Sequence, residues 1–244
     1  MKFVRLGHGV GIDTGDEVIE VRHIIGIGRN YAEHASEQGA DVPERPMVFT
    51  KNPAAACLSG DDIVIPACCR DESTGGPAQV DFEAELAVII GRAAKDVPES
   101  RAHEHVLGYA CANDVSARWW QKKGSGGQFC RGKSFDTFCP IGPHILPAGD
   151  VPDVQGLSVV CRVNGKTMQD GNTRDMIFPV ATLIAELSRG TTLMPGTVIL
   201  TGTPSGVGMA RTPPVWLAPG DTVEIEIGGP GSAFGTLRNR VVDG

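Results

Sequence analysis

The chain has 244 residues, 41% hydrophobic and 21% charged, enough for one large domain or two small ones with a sizeable core. Its formal net charge of -7 and pI near 5.4 argue against a nucleic-acid or anionic-membrane surface. No apolar run reaches the roughly 18 residues of a membrane span, and MKFVRLGHGVGIDTGDE has no signal-peptide core. Seven cysteines without a CxxC fit reduced thiols and a cytoplasmic location better than a disulfide framework.

In chain order, the first twenty residues read as a short N-terminal extension, and residues 21–244 as the main body. VRHIIGIG (21–28) reads as a buried strand, and RNYAEHASEQG (29–39) as a short helix closed by Gly39. DVPERP is a loop into the strand MVFTK, and DDIVIP (61–66) is another short strand. VDFEAELAVIIG (80–91) is a long strand, and VPESRAHEHV reads as a helix opened by proline. GYACAND is a strand and VSARWWQKK a helix, after which KSFDTFCPIGP is irregular. LSVVCRVNG is a strand entering a turn, and FPVATLIAELSRG an amphipathic helix ending at Gly190. GTVILTG, DTVEIEIGG and TLRNRVV supply the last strands. The pattern predicts a β-rich α+β fold, not regular βαβ alternation.

The strand at 80–91 poses the chemical question. Successive side chains alternate between faces, so Asp81, Glu83 and Glu85 share one. A strand start wet on one face explains Asp81. It explains Glu85 poorly, because Ala87 and Ile89 carry its face into the core. Buried like charges two residues apart repel, and a divalent cation removes that cost with oxygen ligands. Asp114, at a strand-to-helix junction, is a candidate third ligand, although an aspartate there is also a common helix N-cap.

Two other sources of chemistry need weighing. Residues 127–134, GQFCRGKS, match the P-loop pattern in full, but neither a buried strand before them nor a helix after them is predicted. A nucleotide-binding protein is therefore the reading from another class, and a helix beginning at Lys133 would favour it. G26-I-G28 lacks the third glycine of a dinucleotide fingerprint, and GTPSGVG (202–208) lacks a lysine. His34 has Glu37 three residues on, so the two can meet on one helical face. A carboxylate beside an imidazole fixes its tautomer and makes it a better base; a solvated surface pair is the plainer alternative.

GIGRNYAEHA, VDFEAELAVIIG, GYACANDVSARWWQ, RGKSFDTFCPIGP, ILTGTPSGVG and GDTVEIEIGG follow one another in this order. Together they resemble the fumarylacetoacetate hydrolase family from about residue 21 to the end. RVNGKTMQDGNTRDMIF and PPVWLAPGD are similar to the branch holding mitochondrial oxaloacetate tautomerases and many bacterial relatives. The resemblance implies a mixed β-roll with peripheral helices, in a homodimer. It implies Mg2+ or Mn2+ on Glu83, Glu85 and Asp114, with Lys133 in the active site. It places Arg118 and Gln121 on the substrate side, and Thr203, or else Thr201, at the substrate carboxylate. His34 and Glu37 match the acid–base pair of a lid helix in the acylpyruvate-cleaving members. Residues 31–46, YAEHASEQGADVPERP, are polar with only small apolar residues, so little burial holds them down and a mobile lid is expected there. Asp81 has no required counterpart. The C-terminal GGPGSAFGTLRNRV departs from the family's usual ending. The expected reaction is C–C hydrolysis of a small 2,4-dioxo acid through an enolate. Oxaloacetate tautomerisation, or isomerisation or decarboxylation of a 2-hydroxy-dienedioate, is the alternative on the same site.

Overall fold

The computed structural model describes residues 1–70 and 77–244. Its axis is the strand Ala84–Ile90, all seven residues of which are buried. Both faces are covered. Ala84, Leu86, Val88 and Ile90 enter one apolar core, while Ala87 and Ile89 enter a second. This is the period-two alternation of a strand clasped from both sides. The strand pairs antiparallel with Val106–Asn113 on one side and with Thr197–Leu200 on the other. Thr197–Leu200 in turn runs parallel to His23–Gly28, which pairs with Met47–Lys51.

Together these strands belong to a ten-stranded sheet. Its far edge is an antiparallel meander of Lys2–Arg5, Val10–Asp13 and Val18–Glu20. The meander joins the sheet where Lys2 faces His144, and it buries Phe3, Val10 and Ile12 in the core that holds Ala87 and Ile89. A five-stranded sheet closes the other side. Its strand Thr222–Ile227 (TVEIEI) buries Val223, Ile225 and Ile227 and turns Thr222, Glu224 and Glu226 outward. The result is the β-rich α+β architecture that the sequence predicts.

The helices are short: α1 (Ala32–Glu37), α2 (Arg118–Gln121), α3 (Phe129–Lys133) and α4 (Val180–Ser188). Helix α4 buries Val180, Leu183 and Ile184, the i, i+3, i+4 stripe that its sequence predicts. Each such side chain stabilises the fold by about 1.5–3 kcal/mol. Several local expectations are corrected. VPESRAHEHV forms a 3-10 helix over Glu99–His105, and the helix predicted over VSARWWQKK stops at Gln121. The stretch read as irregular runs into the strand Cys139–Pro147. The long strand at 80–91 is interrupted after Asp81: Val80–Asp81 pairs with Ser116–Ala117, and the ladder with Val106–Asn113 begins at Ala84. Among the described residues, no helix is long and apolar enough to cross a membrane.

Candidate active site

The interruption at Phe82–Glu83 brings the acids together. The N–H of Glu83 donates to Asn113 Oδ1 at 3.0 Å, and the N–H of Asp114 donates to the Glu83 carbonyl at 2.9 Å. Glu83 and Asp114 thus lie across the two strands, and Glu85, opposite Ala112, sits one pleat further on. Carboxylate oxygens of Glu83, Glu85 and Asp114 lie within 4.8 Å of one another, and all three residues are buried. Asp114 caps no helix: the N-cap position of α2 is Ala117.

Two lysines enter this cluster. Lys133 Nζ donates to Glu83 Oε2 and to Asp114 Oδ2, each at 2.6 Å. Lys51 Nζ donates to Asp114 Oδ1 at 2.5 Å. Helix α3 delivers Lys133 because Gly132 lets it pack directly on α2; a Cβ there would press on Ala117 O at 2.7 Å and on the backbone of Gln121. The P-loop pattern is thereby accounted for. The helix ends, rather than begins, at Lys133, and the lysine is committed to carboxylates.

Asp81 is corrected from a wet strand start to a fully buried anchor. It accepts from the N–H groups of Phe82, Gly208 and Met209 at 2.9, 2.7 and 3.0 Å, and from Arg118 Nε at 2.9 Å. These bonds absorb its charge and fix Arg118, which also lies 2.7 Å from Glu83 Oε1 and donates to Gln121 Oε1 at 3.0 Å. Asp81 is not part of the acidic triad.

The charge balance of the cluster tests whether a cation fits. Asp81, Glu83, Glu85 and Asp114 are four buried carboxylates, and Lys51, Arg118 and Lys133 are three buried cations. Burial pushes Glu83 up, but Lys133 and Arg118 more than reverse this and hold it well below the usual carboxylate range. Burial also lowers Lys133, and Asp114 and Glu83 overcome that to raise it. Glu85 is the acid left over. Burial, then Asp114, then Glu83 push it well above the usual range. It accepts a hydrogen bond from the N–H of Gly202 at 2.7 Å. An all-oxygen triad with one uncompensated carboxylate fits a hard divalent cation.

Helix α1 forms the opposite wall. His34 is 3% exposed, and its Nδ1 lies 2.6 Å from Glu37 Oε1. Its Nε2 lies 2.7 Å from Gln38 Nε2. A carboxylate accepts and an amide nitrogen donates, so the Nδ1–H tautomer satisfies both contacts. Glu37 Oε2 also accepts from the N–H of Gly206 at 2.8 Å, which ties α1 to the 202–208 segment. The helix predicted over 29–39 is shorter than expected, but Tyr31, His34 and Ala35 are buried, so more holds it down than its polar composition suggests.

Between these walls lies a cavity of about 20 Å³, lined by His34, Glu83, Glu85, Arg118, Lys133 and Thr203 among others. Gln121, Gln38 and Arg29 also reach it. Of the two threonines, Thr203 lines it. The Thr201 hydroxyl donates to the Leu86 carbonyl at 2.9 Å and serves the sheet. Thr203 donates to the Ala84 carbonyl at 2.8 Å and accepts from Gln169 Nε2 at 2.7 Å.

Lys51, Gln38, Gln169 and Arg29 are absent from the sequence reading. Lys51 carried a usable signal. In MVFTK it shares the inward face of Phe49, an unusual place for a lysine without an acid to meet. Gln169 gives none, because its partners are 34 and 85 residues away.

With this geometry in hand, the family model described as fumarylacetoacetate (FAA) hydrolase C-terminal matches residues 23–242. The chain belongs to the fumarylacetoacetate hydrolase family. Its relatives include the human mitochondrial oxaloacetate tautomerase FAHD2A, 42% identical over 219 residues, covering 90% of this chain and 66% of that protein. The chain therefore spans just under two thirds of that relative's length. Among solved structures, the fumarylacetoacetate hydrolase of Exiguobacterium antarcticum superposes with a TM-score of 0.80 at 38% identity, covering 99% of this chain and 81% of that one. The 5-carboxymethyl-2-hydroxymuconate delta-isomerase of Mycobacterium smegmatis gives 0.77 at 38%, covering 93% and 79%. Hydrolases, isomerases and tautomerases of this family thus share the fold, and the chain is an enzyme of that family.

Proposed function

We propose that the chain is a Mg2+- or Mn2+-dependent hydrolase that cleaves a carbon–carbon bond in a small 2,4-dioxo acid of acylpyruvate or fumarylpyruvate type. The observation that supports this is the His34–Glu37 contact of 2.6 Å: a buried imidazole held by a half-buried carboxylate, with His34 lining the same cavity as Glu83, Glu85 and Lys133. A bound divalent cation supplies Lewis acidity toward a 2-oxo acid. Glu83, Glu85 and Asp114 would hold it. Arg118, Gln121 and Thr203 orient the substrate carboxylate, and Asp81 keeps Arg118 in place. Glu37 holds Nδ1 of His34, so Nε2 is the atom that takes a proton from water attacking the distal carbonyl. Lys133 places positive charge beside the oxygen that gains charge as the bond breaks.

Gln38 occupies Nε2 of His34, and the cavity of about 20 Å³ has room for about one water. Substrate entry therefore requires α1 to swing outward and Gln38 to release the imidazole.

A second reading, oxaloacetate tautomerase, is favoured by the 42% identity to the human tautomerase. There a proton leaves and returns at carbon without attack by water. A Mg2+-supplemented panel of acylpyruvates, fumarylpyruvate and both oxaloacetate tautomers separates the two. Pyruvate release from an acylpyruvate is the result expected. Rapid tautomer exchange with no pyruvate from any acylpyruvate would replace the hydrolase reading with the tautomerase one.

A further inference from the structure

Three cationic side chains line the cavity, and they are not equivalent. Arg118 is paired with Asp81 and Glu83, and Lys133 with Glu83 and Asp114. Arg29 has no carboxylate partner among the described residues, and its Nε is buried without a hydrogen-bond partner. A buried guanidinium nitrogen left unbonded is costly, and such groups are normally satisfied by something.

The backbone places Arg29 deliberately. Its φ is 54°, a left-handed conformation that a residue with a side chain seldom adopts. The next residue locks this turn. Asn30 Nδ2 donates to the carbonyls of Phe178 at 3.0 Å and Thr201 at 2.8 Å, and Oδ1 accepts from the N–H of Phe178 at 2.8 Å. The Asn30 carbonyl accepts from the N–H of Ile177 at 2.8 Å. Four bonds to two distant segments hold a strained residue at the cavity wall. The surroundings are cationic as well: burial, then Arg118, then Arg29 lower the pKa of nearby Lys122. Arg29 lines the same cavity as the surplus carboxylate, Glu85, and forms no ion pair with it among the described residues.

We propose that Arg29 is a specificity-determining residue that binds a second, remote carboxylate, so that this site favours dicarboxylic 2-oxo acids over 2-oxo acids with neutral tails. The inference rests on the reading of the cavity as a 2-oxo acid site, and it holds for either reaction. The first carboxylate and the 2-oxo group take the acidic-triad end with Arg118 and Thr203. The remote carboxylate meets the open guanidinium, whose planar fork suits it.

The test is binding, not turnover. With Mg2+ present, 2-oxoglutarate and 2-oxoadipate are titrated calorimetrically against their remote-end methyl esters. A charge-assisted hydrogen bond corresponds to about tenfold or more in affinity, so each diacid binds wild-type protein at least about tenfold more tightly than its ester. In Arg29→Gln this ratio falls to near one, and in Arg29→Lys to an intermediate value. The ratio is taken within one protein sample, so a loss of folded fraction does not imitate the result. Equal affinities of acid and ester in the wild type, a comparison that needs no variant, overturn the proposal and leave the 2-oxo acid reading standing. A ratio that survives in Arg29→Gln overturns the assignment to Arg29. Failure of all four probes to bind Mg2+-loaded protein overturns both.

Discussion

The N–H of Gly202 points at Oε2 of Glu85 over 2.7 Å, and no cationic side chain donates to this carboxylate among the described residues. Gly202 can serve this way because its φ of 95° and the closeness of Asn30 Cβ leave no room for a side chain. Glu83 and Asp114 have lysines; Glu85 has one backbone dipole. Burial raises its pKa, Asp114 and Glu83 add to that, and Lys133 and the Gly202 N–H do not reverse it.

Proton linkage at Glu85 gives the first prediction. Its folded pKa lies above the unfolded one, so in metal-free protein its contribution to stability is full below the ordinary carboxylate range. That contribution is lost as pH rises through the folded value. A cation displaces the proton, so Mg2+ affinity rises with pH over the same window and binding releases protons. Calorimetric titration of Mg2+ in buffers of different ionisation enthalpy should detect the release. Glu85→Gln should bind Mg2+ weakly and release none.

The sequence made the acids legible and left their neutralisation hidden. Glu83, Glu85, His34 and Glu37 stand out through short-range spacing and Asp114 through its strand-to-helix junction; His34, Glu83 and Glu85 line one cavity, with Asp114 beside the two glutamates and Glu37 on His34. Asp81 was misjudged because its partners, Arg118, Gly208 and Met209, lie 37, 127 and 128 residues away. Gln169 is hidden for the same reason, whereas Lys51 carries a signal in its inward position in MVFTK. Period-two and period-3.6 patterns identify which face a residue occupies; they carry no information about which distant element comes to meet it. The alternation in Ala84–Ile90 and the stripe of α4 survived for the opposite reason, since apolar faces need only a core, not a particular partner.

Lys133 supports a prediction on stability. Lys133→Met leaves Glu83 and Asp114 buried with less counter-charge. Breaking a buried pair in this way costs about 3–5 kcal/mol. Metal-free Lys133→Met should therefore melt well below wild type, and Mg2+ should restore more of its stability than it adds to the wild type. Thermal melts with Mg2+ and with chelator check this. An unchanged melting temperature without metal would mean that the ion pairs contribute nothing net.

Packing of α3 on α2 gives a third prediction. In Gly132→Ala the added Cβ meets backbone atoms of Ala117 and Gln121, which cannot rotate away. Overpacking of this kind costs about 1–3 kcal/mol. It should also move Lys133, so that turnover falls more than the loss of folded protein explains. Urea unfolding and kcat, measured on the same preparation, separate the two effects.

The acid–base pair predicts a split between binding and chemistry. His34→Ala removes no carboxylate of the triad and should leave Mg2+ affinity near wild type. Losing a positioned general base lowers cleavage of an acylpyruvate by roughly 10²–10⁴-fold. Glu37→Gln should give a milder loss, because the imidazole keeps a hydrogen-bond partner. Loss of diketo-acid absorbance follows the reaction, with pyruvate assayed separately. An equal loss of Mg2+ binding in His34→Ala would assign the histidine a structural role.

Helix α1 is tied to the 205–206 turn by Glu37 and by Ser205 Oγ donating to Glu33 Oε2 at 3.1 Å. As a lid it must open and close. Amide exchange across residues 31–46 should slow when Mg2+ and oxalate, a stable analogue of the 2-oxo acid head, are added together. Identical exchange with and without them would show a fixed wall.

Oxalate also tests most directly the claim that the buried triad holds a cation that receives a 2-oxo acid. Its binding is measured by calorimetry to wild-type protein with Mg2+, to the same protein after chelation, and to Glu85→Gln with Mg2+. Oxalate should bind the Mg2+-loaded wild type and fail to bind measurably in the other two samples. Equal oxalate affinity with and without Mg2+ would contradict the account.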